Sequence, residues 1–328
     1  EFVGESAYND ELAPTLEELR QLGLIQTSDG AECLFPPGFS NRDGEPLPLI
    51  VRKRDGGYGY AATDLAALRQ RTQALHADRL LYVVGSPQSQ HLEMVYEAGR
   101  MAGWLKPPAT AEHIAFGSVL GSDGKMFKSR TGDTIRLSDL VNEAIERAAA
   151  TIEEKNPELS TEERAEVAQM VGIGAVKYAD LSSERTRDYV FDFDRMLALE
   201  GNTAPYMQYA HARVQSIVRR AMASHGISAD EIDKAPMVIA DDAEKALAMQ
   251  LLRFANVIGD VSDSLLFHRL ASYLFDLATA YSSFYNSCPV VDAPDAQTRL
   301  SRLALCRLTA RTLETGLSLL GIRAPERM

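Results

Sequence analysis

Apolar residues recur with helical period from residue 138 onward. Leu140, Val141, Ala144, Ile145, Ala148 and Ile152 fall on one face of a helix. Ser160, followed three residues later by Glu163, has the form of a capping box that opens the next helix. Further helical patterns run over about 205–223, 241–260, 265–285 and 296–320, and Gly321 suits the left-handed residue that ends the last of them. The C-terminal half therefore reads as an all-α bundle. Between residues 35 and 137 the pattern is different: short β-rich runs alternate with helical stretches and Gly-bearing turns, as in α/β architecture. Strands are predicted over 57–62, 79–84 and 113–120, with a helix over 89–102. The run 80–84, the turn Gly85-Ser86-Pro87, the helix and the next strand are spaced as one βαβ unit of a doubly wound sheet. The fold class is thus α/β followed by all-α.

Composition narrows the functional classes. The chain has 328 residues, 34 Lys+Arg against 46 Asp+Glu, a formal charge of −12 and 45% hydrophobic residues. This is ordinary globular material, sized for two domains, and it excludes a fibrous or disordered chain. The apolar run 80–84 falls far short of the roughly 20 residues a membrane span needs, so no membrane is expected as a partner. The first residues, from Glu1, carry neither a basic nor an apolar signal segment, and the chain is expected to begin mid-protein. Cys33, Cys288 and Cys306 are odd in number and widely spaced, which argues against disulfides and zinc and for a reducing, cytoplasmic setting. The negative charge disfavours non-specific nucleic-acid binding but permits a structured RNA on a local basic face.

Three constellations could carry chemistry. In the segment 55–65, glycines precede Tyr60 and Asp64, so a phenol and a carboxylate could share a pocket for a guanidinium or an ammonium. The alternative is a Gly56-Gly57 turn, with Asp64 capping a helix. Gln88 and His91 follow the strand over 79–84, where ligands of open α/β sheets gather; they equally suit a polar loop opening a helix. Lys125, Lys128 and Arg130 lie in a glycine-flanked loop that could clamp a triphosphate, or could be solvated surface.

Taken together, Asp55 to Ala67, the loop Lys125 to Arg130, Gly201-Asn202-Thr203-Ala204-Pro205-Tyr206-Met207-Gln208-Tyr209-Ala210-His211-Ala212-Arg213 and the ending Pro325-Glu326-Arg327-Met328 resemble the arginyl-tRNA synthetases of class I. The resemblance covers essentially the whole chain. It implies arginine activation with ATP and Mg2+, without a tightly bound organic cofactor or a resident metal, and transfer to the 3′-terminal ribose of the tRNA for arginine. It implies that Tyr60 and Asp64 hold the L-arginine guanidinium, with Gln88 and Glu5 in the same pocket. His91, Lys125 and Lys128 are expected at the ATP, the two lysines as catalytic groups of a KMSKS-like loop that departs from the pattern at Phe127. Tyr206, Tyr209, Arg213, Tyr285 and Met328 are expected at the tRNA. The resemblance divides the chain into residues 1–194, the second half of a Rossmann-type catalytic domain with connecting helices, and residues 195–328, a helical anticodon-binding domain. The HIGH-type motif of the family is absent, as is a counterpart of its N-terminal tRNA-elbow domain. The chain is therefore expected to need a missing N-terminal portion, and the first 140 residues or so to be poorly stable alone. The alternative is a non-catalytic tRNA-binding module.

Overall fold

A computed structural model describes residues 2–121, 124–125 and 136–328. The chain divides into two compact units, Glu1–Gly117 and Ser118–Met328.

In the first unit a short turn of helix, Glu5–Tyr8, leads into α1 (Asn9–Gln21). Strands β1 (Gln26–Ser28), β2 (Ala31–Leu34) and β3 (Leu49–Arg52) form an antiparallel sheet in that order. Helix α2 (Tyr60–Gln73) precedes β4 (Arg79–Gly85), α3 (Ser89–Met101) and β5 (Thr110–Phe116). β4 and β5 pair in parallel from Arg79↔Thr110 to Gly85↔Phe116. This is the βαβ unit read from the sequence. Leu80, Tyr82 and Ile114 are buried, whereas Leu81, Val83 and Phe116 are exposed, so period-2 alternation leaves apolar side chains on the opposite face.

The predicted strand over 57–62 is not formed. Tyr58 makes an isolated bridge with Arg52, Gly59 is the extended N-cap, and the chain is helical from Tyr60. The physical reason is alanine: Ala61, Ala62, Leu65, Ala66 and Leu68 are buried at helical spacing, and small straight side chains favour the helix where β-branched ones would not. The predicted strand over 113–120 begins earlier and breaks at residues 117–118; its end becomes β6 (Val119–Leu120) in the second unit.

The second unit contains α4 (Leu137–Lys155), α5 (Thr161–Leu181), β7 (Tyr189–Val190), α6 (Phe193–Met196), α7 (Ala204–His225), α8 (Ala229–Asp233), α9 (Asp242–Leu252), α10 (Phe254–Ser264), α11 (His268–Ser287) and α12 (Ala296–Leu319). β6 and β7 pair in parallel, interrupting the expected all-α run. Ser160 and Glu163 form the expected reciprocal box, with Glu163 N–H donating to Ser160 Oγ at 3.1 Å and Ser160 N–H to Glu163 Oε2 at 2.9 Å. Gly321 adopts φ +70° after α12, as anticipated. The helix predicted over 241–260 is two helices parted at Arg253, and Leu265 takes φ +55° as α10 ends.

Met207, Val214, Leu274, Leu277, Tyr281, Leu313 and Leu317 fill the core among α7, α11 and α12. α4 and α5 meet closely at Gly172, where a methyl group would lie 2.6 Å from the Ile145 backbone. Beside the main core, buried Glu244 pairs with Arg302 Nε at 2.7 Å and accepts from the Ala240 and Asp241 N–H groups. Burial pushes the Glu244 carboxyl up, but the Ala240 amide, Arg302 and the Asp241 amide outweigh it and hold the group below the usual carboxylate range. Its contribution is therefore full above the unfolded value of about 4.3 and is lost as pH falls through the lower folded value. Arg302→Met is expected to cost about 3 kcal/mol at neutral pH by stranding the carboxylate. In urea titrations the gap between wild type and variant should narrow on acidification; a gap independent of pH would contradict the assignment.

Candidate active-site cleft and candidate RNA-binding face

The start of α2 is set by backbone, since no side chain caps it. Gly59 N–H donates to Val51 O at 3.1 Å, stitching the helix start onto β3. A Cβ on Gly59 would sit 2.7 Å from Ile50 O, so this close approach requires glycine. Tyr60 then stands 84% exposed at the first helical position, and Asp64 follows one turn later.

Asp64 Oδ2 lies 2.7 Å from His91 Nε2, on the first turn of α3. Asp64 is thus paired within the helix and caps nothing, which removes the capping alternative. His91, expected at the ATP, sits against the carboxylate expected to hold arginine. Both are half-buried. A carboxylate offers about four acceptor positions, so the imidazole leaves capacity for a second partner.

These residues line a cleft of about 720 Å3 within the first unit. Glu5, Tyr60, Asp64, Gln88 and His91 all face it, with Lys53, Tyr82 and Gln90. Gln88 is carried there by the short helical turn Ser86–Gln88 at the C-terminal end of β4, which Ser86 Oγ ties to Phe116 O at 3.0 Å. Buried Tyr82 lies beneath the Arg71 guanidinium, 5.4 Å from its ring centroid. Burial pushes the Tyr82 phenol up in spite of Arg71, so it is neutral at physiological pH. Lys53 and Gln90 escaped the sequence reading. Lys53 directly follows β3, whose four residues are too short a run to show strand alternation, and Gln90 is a neutral side chain between Gln88 and His91.

Of the lysine loop, Lys125 belongs to the second unit, where its carbonyl accepts from Gly121 N–H at 2.8 Å beside Gly124 at φ +70°. Lys128, Phe127 and Arg130 lie outside the described residues. Among the described residues no His, Cys, Asp and Glu cluster could hold a metal ion. All three cysteines are free and buried, and no described helix is long and apolar enough to cross a membrane.

In the helical bundle, α7 brings some expected RNA contacts together and separates others. Tyr206 turns toward the core, its ring 5.8 Å from Phe275 and its hydroxyl 3.4 Å from Ser282 Oγ. Tyr209 is exposed. Arg213 lies over the Tyr285 ring at 4.3 Å. Tyr209, Arg213 and Met328 line one cavity of about 480 Å3, together with Ser216, Arg219 and Arg327. The two arginines and the serine were not anticipated.

The family described as class I tRNA synthetases (R), catalytic domain, matches residues 1–193. The DALR anticodon-binding domain matches residues 207–328. The chain belongs to the class I tRNA synthetases of the R group. It is 53% identical over 327 residues to the arginine-tRNA ligase of Thermobifida fusca, spanning all of this chain and 56% of that protein. It is 49% identical to that of Cellvibrio japonicus, over 99% of this chain and 55% of the relative. The arginyl-tRNA synthetase structure of Plasmodium falciparum superposes with a TM-score of 0.80 at 29% identity, covering 100% of this chain and 54% of that one. The Thermus thermophilus structure gives 0.81 at 28% identity, covering 97% and 58%. The chain thus spans about half the length of the curated relatives it matches.

Gly59→Ala is expected to weaken the first unit by about 1–3 kcal/mol, because its methyl group would meet the main-chain oxygen of Ile50 at 2.7 Å. Hydrogen exchange along α2 is the measurement; unchanged protection would show that the helix start has room to shift.

Proposed function

We propose that this chain is the C-terminal portion of an enzyme that joins L-arginine to its tRNA. The observation that carries the reading is the shared cleft of Glu5, Tyr60, Asp64 and Gln88. A carboxylate accepts two parallel N–H bonds from a guanidinium, and an ammonium cannot reproduce that planar fork. Asp64 receives the guanidinium, the Tyr60 ring closes over the substrate from the exposed rim, and Gln88 and Glu5 orient the remaining polar groups. His91 holds Asp64 and lies on the side where ATP enters with Mg2+.

In the activation step an arginine carboxylate oxygen attacks the α-phosphorus of ATP. The bond between that phosphorus and the bridging oxygen breaks, and pyrophosphate leaves. Lys125 and Lys128 neutralise the charge that develops on the leaving group. In the second step a hydroxyl of the terminal ribose attacks the arginyl carbonyl, its proton is released, and AMP departs. Residues 1–194 act as the catalytic portion and residues 195–328 as the anticodon-binding domain. There Tyr209, Arg213 and Met328 meet splayed bases, while Tyr206 and Tyr285 support them from within the bundle. The protein works in the cytoplasm. The exposed apolar face of β4 and β5, Leu81, Val83 and Phe116, suits cover by the N-terminal portion that this chain does not include.

The test is arginine-dependent exchange of pyrophosphate into ATP, with tRNA present, on the chain alone and after addition of the N-terminal portion. Exchange is expected only in the mixture, and Asp64→Asn should raise the arginine KM about 30-fold or more, since truncating one partner of a desolvated charge pair costs roughly 2–5 kcal/mol. RNA binding without exchange in the mixture would favour a non-catalytic tRNA-binding module. Exchange by the chain alone would assign the ATP-handling residues to this sequence.

A further inference from the structure

After α12 the chain forms no further helix or strand, yet its last residues are firmly held. Lys177 Nζ donates to Gly321 O at 2.6 Å, Gln208 Nε2 to Arg323 O at 2.7 Å, His211 Nδ1 to Pro325 O at 2.9 Å, and Arg219 to Glu326 O at 3.2 Å. Ile322 is buried at the base of this strap. Gln208 and His211 are 0% and 1% exposed, in the interior of α7 between Met207 and Val214. Polar groups buried so deeply are costly unless hydrogen-bonded.

Their bonds converge on the strap. Gln208 Nε2 donates both to Arg323 O and to Met170 O at 3.1 Å, which fixes the amide orientation, because the flipped form would face two carbonyls with its oxygen. The cost is visible in Oε1, which has no partner among the described residues. His211 carries its proton on Nδ1, facing a carbonyl, and its Nε2 accepts from Gln215 at 3.4 Å. Gly174 on α5 admits both partners, since a Cβ there would lie 3.0 Å from Gln208 Nε2 and 3.1 Å from Ile322. Beyond the two anchors, Arg327 and Met328 line the same cavity as Tyr209, Arg213 and Ser216 of α7, with Glu158 and Glu163 also at its edge.

We infer that Gln208 and His211 are positioning residues for base recognition: from the buried face of α7 they lock the strap, so that Arg327 and Met328 close a cavity for a single unstacked RNA base against Tyr209 and Arg213. This deepens the tRNA reading above and rests on it. One helix thereby presents Tyr209 and Arg213 and holds the strap that carries Arg327 and Met328. The strap cannot slide relative to Tyr209 without breaking bonds inside the bundle.

The probes are two RNA hairpins bearing an arginine anticodon loop, one intact and one abasic throughout its anticodon, titrated against the full chain at fixed salt. His211→Leu and Gln208→Met are expected to weaken the intact hairpin about tenfold, the scale of one lost buried hydrogen bond, with little change for the abasic one. The salt dependence should stay the same, because no phosphate contact is removed. His211→Asn, which retains a donor near the Nδ1 position, should recover most of the affinity and guards against mere misfolding. Carboxypeptidase should release Met328 faster from the Leu and Met variants than from wild type or His211→Asn. Faster release with unchanged binding of the intact hairpin would overturn the inference, as would equal losses for both hairpins. Failure of the wild-type chain to bind either hairpin would instead overturn the RNA reading and the inference with it.

Discussion

The first unit depends on one close approach between main chains. Gly59 gives up a side chain so that its N–H reaches Val51 O, and the places of Tyr60 and Asp64 in the cleft follow from that contact. It sets where α2 begins, hence where Tyr60 stands and which face Asp64 presents one turn later. Asp64 then meets His91, the residue that opens α3 after β4. A three-stranded antiparallel sheet and a βαβ unit are thus joined at a carboxylate and an imidazole. The arrangement suits a guanidinium because the carboxylate is oriented before any ligand arrives, so less freedom is lost on binding.

The helical bundle solves a related problem by burying polar groups whose bonds hold a second segment of the chain in place. Glu244 accepts two backbone amides and a guanidinium, and Gln208 and His211 donate to main-chain carbonyls. Each removes a helix end or an extended segment from the list of parts that could move. α7 is the clearest case, with its inner face tying down the chain end and its outer face presenting Tyr209 and Arg213.

The helices were legible because their apolar period extends over many turns, and the capping box at Ser160 and the stop at Gly321 use side-chain and backbone chemistry that is local in sequence. The β4–α3–β5 crossover was legible for the same reason. The strand expected over 57–62 failed because glycine and alanine carry little strand preference, and the helix that replaced it draws its register from Ile50 and Val51, which local pattern does not reveal. The residues 117–118 that divide β5 from β6 likewise answer to partners far along the chain, since Ser118 N–H donates to Asp188 Oδ1 and Val119 pairs with Tyr189. The cleft residues were named through motif resemblance, whereas the Asp64–His91 pair is separated by 27 positions and appears only in three dimensions. Gln208 and His211 stand within the segment 201–213, but the strap carbonyls they hold, Arg323 O and Pro325 O, are more than a hundred residues away.

The chemistry proposed for the cleft turns on Asp64 anchoring a guanidinium. The most direct measurement is calorimetric titration of L-arginine, and of its uncharged ureido isostere citrulline, into the chain combined with its N-terminal portion, for wild type and Asp64→Asn. The account predicts that arginine binds the wild type, that citrulline does not compete, and that Asp64→Asn loses most of the arginine affinity while keeping its fold. Equal arginine affinity in wild type and Asp64→Asn would contradict it.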